Sequence, residues 1–156
     1  MTTIAYKDGA MAADSRAYRS CRIRKIRRLP DGRLIGASSD RVGACEAILD
    51  WFAAGADTQN TPDGVGRDDV NLLVVHPDGC AQIAHAGWTL TGMLSNPHFA
   101  IGSGAQQAQA VLEFGGTPEQ AVEIACKLDW ASRAADRLSE AWNDLPCPEE
   151  VKRKRK

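Results

Sequence analysis

A chain of 156 residues with a formal net charge of −1, 44% apolar and 25% charged residues has the composition of a soluble globular protein and the length of one domain, for which roughly 100–200 residues is usual. No apolar run approaches the roughly 18 residues of a membrane span, and the N-terminus lacks the basic flank and apolar core of a secretory signal, so the expected compartment is the cytoplasm. The five cysteines, Cys21, Cys45, Cys80, Cys126 and Cys147, are odd in number and form no Cys-x-x-Cys pair. That argues against a disulfide framework or a zinc knuckle and for reduced, mostly buried thiols. His76, His85 and His98 fall at no i, i+3 or i, i+4 spacing, so they read as loop or strand residues rather than metal ligands, and no cofactor is called for.

Charge is uneven along the chain. Residues 1–33 carry nine Lys or Arg against three Asp or Glu, and Lys152–Lys156 adds five cations. Such asymmetry suits nucleic acid or a partner, but a solubilising, disordered end is the favoured reading of residues 144–156. One domain is expected over residues 1–143.

Asp8-Gly9, Asp31-Gly32 and Asp78-Gly79 each stand between short apolar segments. Asp-Gly suits hairpin turns that need positive φ. The expected hairpins join residues 2–7 to 10–16, 22–29 to 33–38, and 70–76 to 80–86, with a further strand at 98–102. Val42, Cys45, Leu49 and Phe52 recur at helical spacing, with Ser39 as the N-cap and Gly55 as the stop. A second helix follows Gly104, carries Ala108, Val111 and Leu112, and ends at Gly115-Gly116. Thr117-Pro118-Glu119 opens a third, because a capping residue precedes proline at the first helical position. Its apolar line runs Val122, Cys126, Trp130, Ala134, Leu138 and Trp142, and Pro146 and Pro148 close it. Residues 56–69 read as a loop. Antiparallel hairpins with helices in separate blocks point to an α+β fold with two sheets between helix layers. The small residues of Ala10–Ser15 suit a strand that another backbone or a substrate approaches closely.

Thr2 follows Met1, and a small second residue allows the initiator methionine to be removed. A threonine at the chain start carries its own base, since its α-amine, with a reference pKa of roughly 7.7–8.0, can accept the hydroxyl proton. The arrangement needs a nearby cation and an anion to position it, and Asp14 and Lys25 are the candidates. Period-2 alternation puts Lys25 on a face with Ile23 and Leu29 rather than with Arg22 and Arg24. An Asp14–Lys25 ion pair accounts for that. A solvated basic face shared with Arg22, Arg24, Arg27 and Arg28 is the other reading, and spacing alone does not separate them.

Thr2-Thr3-Ile4-Ala5, Met11-Ala12-Ala13-Asp14-Ser15-Arg16 and Arg24-Lys25-Ile26-Arg27-Arg28-Leu29 resemble the opening of HslV and proteasome β-subunits. Ile101-Gly102-Ser103-Gly104 with its alanine-rich helix resembles a second block of that family. The resemblance implies a four-layer αββα sandwich of antiparallel sheets, of N-terminal-nucleophile hydrolase type, and a threonine endopeptidase activity. By that resemblance Thr2 is the nucleophile, Lys25 lowers the pKa of its amine and hydroxyl, Asp14 orients Lys25, and Ser103 hydrogen-bonds near the amine. A plain helix N-cap is the alternative reading of Ser103. The oxyanion donor would be a backbone N–H at or near Ala37, where the family usually has glycine. The resemblance also implies a protein or peptide substrate, a homo-oligomeric ring and an ATP-dependent unfoldase as partner, with no membrane, and nucleic acid is not favoured. The chain departs from the family in the loop at 56–69, where a second helix is usual, and in leaving Asp129, Ser132 and Asp136 as undistinguished candidates for a supporting role. Two other functions fit the same fold: a non-proteolytic assembly or nucleic-acid-associated role, and a small amidohydrolase. Dinucleotide binding is set aside, because Gly102-Ser103-Gly104 lacks the third glycine, position 107 being Gln107.

Overall fold

The structure, a computed structural model, describes residues 2–15, 22–66, 69–128 and 139–141. Two hairpins come first: β1 (Thr3–Lys7) with β2 (Ala10–Asp14), and β3 (Ile26–Arg28) with β4 (Leu34–Ser38). Helix α1 (Ala44–Ala53) follows, then the hairpin β5 (Asn71–Val75) and β6 (Ala81–His85), strand β7 (His98–Gly102), helices α2 (Ala105–Glu113) and α3 (Pro118–Leu128), and strand β8 (Ser139–Ala141). All three Asp-Gly hairpins and the strand at 98–102 are present.

The strands form two antiparallel sheets, ordered β7-β1-β2-β8 and β3-β4-β5-β6. Alternation sorts their side chains into three apolar layers. Ile4, Tyr6, Met11, Ala13, Ile26, Leu73, Val75, Phe99 and Ile101 fill the space between the sheets. Ala5 and Ala12 face the other way, against Ala108 and Leu112 of α2 and Ala121, Val122 and Ala125 of α3. Ile35, Ala37, Leu72 and Val74 pack against Cys45, Ile48, Leu49 and Phe52 of α1. The result is the αββα sandwich that the element order implies. The small side chains of β2 let α3 lie close to the sheet.

The start of α3 forms as its residues require. Thr117 Oγ1 accepts the Gln120 N–H at 3.3 Å, and Gln120 Oε1 accepts the Thr117 N–H at 3.0 Å. This reciprocal pair satisfies two donors that the helix end leaves over.

Three local expectations are corrected. Ser39 does not cap α1: its Oγ accepts the Arg41 N–H at 3.1 Å, and Gly43 occupies the cap with no side-chain hydrogen bond. Helix α1 therefore begins after Val42, which is exposed and not part of the buried stripe. The apolar line of the third helix does not continue to Trp142, because Ser139–Ala141 is a strand paired with Ala12–Asp14 of β2. That pairing satisfies a backbone edge that β2 would otherwise present. The expected basic tail at 144–156, and Asp129, Ser132 and Asp136, lie outside the described residues. Among the described residues no helix is long and apolar enough to cross a membrane.

Candidate active site

The sites of interest gather where β1 starts, β2 ends and β3 begins. Thr2 precedes β1 and is only 4% exposed. Its backbone N–H donates to Ser103 Oγ at 3.4 Å, and the Ser103 hydroxyl also lies 3.4 Å from the Thr2 carbonyl oxygen. Ser103 sits in the turn between β7 and α2. The register Thr3↔Gly102, continued by one residue, brings it level with Thr2. Gly104, not Ser103, holds the N-cap of α2, and it makes no side-chain cap bond. The plain-cap reading of Ser103 is thereby removed.

Asp14 and Lys25 are 2% and 3% exposed, and Lys25 Nζ lies 2.6 Å from Asp14 Oδ2. The other carboxylate oxygen, Oδ1, accepts the Thr3 N–H at 2.6 Å. One carboxylate thus joins the lysine of the second sheet to the peptide group directly after Thr2. A buried ammonium is tolerated only with such a partner, and a buried carboxylate needs its remaining oxygen satisfied as well. The basic-face reading of Lys25 fails on burial. Arg27, two residues on, turns instead to Asp50 of α1, with an Nη1–Oδ1 distance of 2.8 Å.

Lys25 lies just outside β3, yet the ladder continues through its backbone: the Ala37 N–H donates to the Lys25 carbonyl at 2.8 Å. That bond fixes where Lys25 leaves the sheet. It also commits the Ala37 N–H, which is therefore not free to serve as an oxyanion donor. The reason is positional: alternate N–H groups of β4 point to β3, and that of Ala37 is one of them.

Gly102 closes the site from the β7 side. Its φ is +95°, and a Cβ there would stand 2.1 Å from the Thr2 carbonyl oxygen and 3.4 Å from Ser38 Oγ. Strand β7 can lie this close to Thr2 only without a side chain at that position.

Sequence reading missed Cys45 as a neighbour of this site. The thiol lies in the first turn of α1, 1% exposed, in the layer that holds Ala37. Burial pushes its pKa up, opposed by the Lys25 ammonium and by the Ser39 backbone N–H. A buried thiol in apolar surroundings is inert. Iodoacetamide at neutral pH is therefore expected to label the partly buried Cys80 and Cys126 at least about tenfold faster than Cys45. Peptide mass mapping over time reads this, and equal native rates would refute the burial of Cys45.

Among the described residues no group of three or more His, Cys, Asp or Glu is arranged to hold a metal. A cavity of about 350 Å³ lined by Tyr6, Asp8, Asp78, Cys80 and Asn96 lies at the hairpin-turn end of the sheets, opposite Thr2, and contributes nothing to the site.

No protein-family model matches the sequence, and no curated protein matches it. Solved structures do. HslV from Trypanosoma brucei aligns with a TM-score of 0.56 and 17% identity over 89% of this chain and 97% of its own. BPH from Thiobacillus denitrificans aligns at 0.54 and 15% over 94% and 99%, and it has also been solved in complex with epoxomicin. Anbu, the ancestral β-subunit from Yersinia bercovieri, aligns at 0.54 and 13% over 90% and 80%. Identities this low speak to architecture and not to activity. With the two sheets and three helices of its described residues, and these neighbours, the chain has the fold of the proteasome-like N-terminal-nucleophile hydrolases.

Proposed function

We propose that the protein is a threonine peptidase in which Met1 is removed and Thr2 becomes the nucleophile. The observation that carries this is the buried Asp14 carboxylate, held by Lys25 on one oxygen and by the Thr3 N–H on the other. A buried lysine–aspartate pair often contributes no more stability than well-packed apolar residues of the same volume would. A site that has to hold a neutral amine and a reactive hydroxyl at working pH does require a fixed cation beside them.

In this reading Thr2 Oγ attacks the scissile carbonyl while the Thr2 α-amine takes the hydroxyl proton. The amine returns that proton to the leaving amine, and an acyl-threonine remains. Water then hydrolyses the ester by the same route in reverse. Lys25 lowers the pKa of the amine and hydroxyl, Asp14 orients Lys25, Ser103 holds the amine, and an amide following Ala37 stabilises the oxyanion. Substrate is a protein or peptide. A ring of identical subunits and delivery by an ATP-dependent unfoldase extend the reading through the resemblance of the N-terminal motifs.

Intact-mass measurement tests it. The purified chain is expected to lack the mass of Met1 and, after incubation with epoxomicin, to gain the mass of one inhibitor. Thr2→Ala is expected to gain none. A chain that keeps Met1, or one that stays unmodified after processing, defeats the proposal. Comparison of peptide with acyl-amide substrates, with Thr2→Ala as the blank, separates a peptidase from an amidohydrolase. The nucleic-acid reading is not favoured, because Arg27, Arg33 and Arg41 are paired with Asp50, Asp31 and Asp69.

A further inference from the structure

Thr2 has a second hydroxyl neighbour. The β1–β2 register runs Lys7↔Ala10 to Ile4↔Ala13, and continued by two residues it sets Ser15 opposite Thr2. The β1–β7 register sets Ser103 opposite Thr2 on the other side. Continued past the ends of the paired strands, the two registers set three hydroxyl residues side by side: Ser15, Thr2 and Ser103. Directly opposed positions share a face, with Cβ atoms about 4.5–5.5 Å apart.

Ser15 is 6% exposed, and its Oγ is buried without a hydrogen-bond partner among the described residues. Its backbone is well held, since the Ser15 carbonyl accepts the Ile23 N–H at 2.8 Å. A buried hydroxyl with no partner is unfavourable by about 1–3 kcal/mol, and alanine would fit the same space without it. While Met1 is attached, the Thr2 nitrogen is an amide with one N–H, and Ser103 takes it. Once Met1 leaves, that nitrogen becomes an amine with further N–H groups, and those groups need acceptors.

We propose that Ser15 is a positioning residue for the reacting amine: its Oγ accepts an N–H of the Thr2 α-amine released by loss of Met1, opposite the bond to Ser103. The proposal rests on Thr2 being the processed nucleophile and adds the second hydrogen bond that fixes the amine's direction. Two hydroxyls on opposite sides leave the amine lone pair one orientation, toward its own Oγ. An acceptor of this kind favours the protonated amine, so it also sets where the amine titrates.

The test is Ser15→Ala in the processed chain, with Ser15→Thr and Thr2→Ala beside it. Nitrogen NMR of the Thr2 α-amine and the pH profile of kcat/KM are both recorded. In Ser15→Ala the amine pKa and the acid limb are expected to fall together by roughly half a unit to one unit, the equivalent of one hydrogen bond. In the same variant kcat is expected to drop about threefold to tenfold with KM unchanged, the pattern of a lost transition-state interaction. Ser15→Thr restores both. The melting temperature of each variant is measured alongside, and a role in folding alone would move it while leaving the amine titration in place. If Thr2→Ala is inactive while Ser15→Ala titrates and turns over like the parent, the Ser15 assignment is wrong and the peptidase reading stands. If Thr2→Ala keeps full turnover, or Met1 is retained, both fall.

Discussion

Lys25→Met is expected to lower peptidase turnover by about 10²–10⁴-fold, the usual worth of a tuned proton-transfer site, and at the same time to destabilise the fold. The two effects have separate origins. On the proposed mechanism, turnover falls because the Thr2 amine and hydroxyl lose the cation that serves them. Stability falls because Asp14, 2% exposed, keeps its bond to the Thr3 N–H but loses the ammonium at 2.6 Å. Removing one partner of a buried ion pair is destabilising by about 3–5 kcal/mol. For a domain of this size that is a fall of roughly 6–20 °C in Tm. Pairing Lys25→Met with Asp14→Asn discriminates the two origins. The amide oxygen still accepts the Thr3 N–H, no buried charge remains, and more than half of the lost stability is expected to return. Turnover is not. Thermal melts and peptide hydrolysis on the three variants decide it. A double variant as inactive and as unstable as Lys25→Met would mean that the pair is not an isolated electrostatic unit, and an active Lys25→Met would remove lysine from the mechanism.

This pair also marks the boundary of what the residues disclose by themselves. The hairpins are legible because Asp-Gly turns act over two or three residues, and the start of α3 is legible because Thr117 and Gln120 satisfy each other across one turn. Both are local physics. Lys25 is not local. Its period-2 face with Ile23 and Leu29 is correct, since both pack in or against the α1 layer. Arg27 has the same parity, however, and its side chain reaches Asp50 near the surface. Only the meeting of the two sheets shows which cation is buried. The end of the third helix fails for the same reason. Alanine, leucine and tryptophan at i+4 spacing describe a helix face, while pairing of Ser139–Ala141 with β2 is decided by an open strand edge well over a hundred residues earlier. Ala37 depends on register. Whether a strand's N–H points to a ladder partner or to open space is set by pairing, and here the Lys25 carbonyl takes the N–H of Ala37. Ser15 depends on register as well. It stands in the Met11-Ala12-Ala13-Asp14-Ser15-Arg16 motif, but its place beside Thr2 becomes visible only once the β1–β2 register is continued to it.

Gly102→Ala is expected to damage the site without removing any reacting or charged group. Two effects add. At φ +95° an alanine carries backbone strain, worth about 1–3 kcal/mol. Its Cβ would also fall 2.1 Å from the Thr2 carbonyl oxygen and 2.8 Å from the carbonyl carbon. These are backbone atoms that no rotamer change can move aside. The β1–β7 pairing must therefore open at Thr3↔Gly102, which shifts Thr2 away from Ser103. A displacement of about 1 Å at a reacting group can lower turnover on the order of 10²-fold. Gly115→Ala supplies the control. It has nearly the same backbone angle, φ +90°, and open space around the added methyl, at the far end of α2 from the site. It is expected to lose the strain energy alone and to keep full turnover. Urea unfolding and peptide hydrolysis on both variants separate strain from displacement. Equal stability losses with both variants active would show that the close approach of β7 to Thr2 does not hold the nucleophile in place.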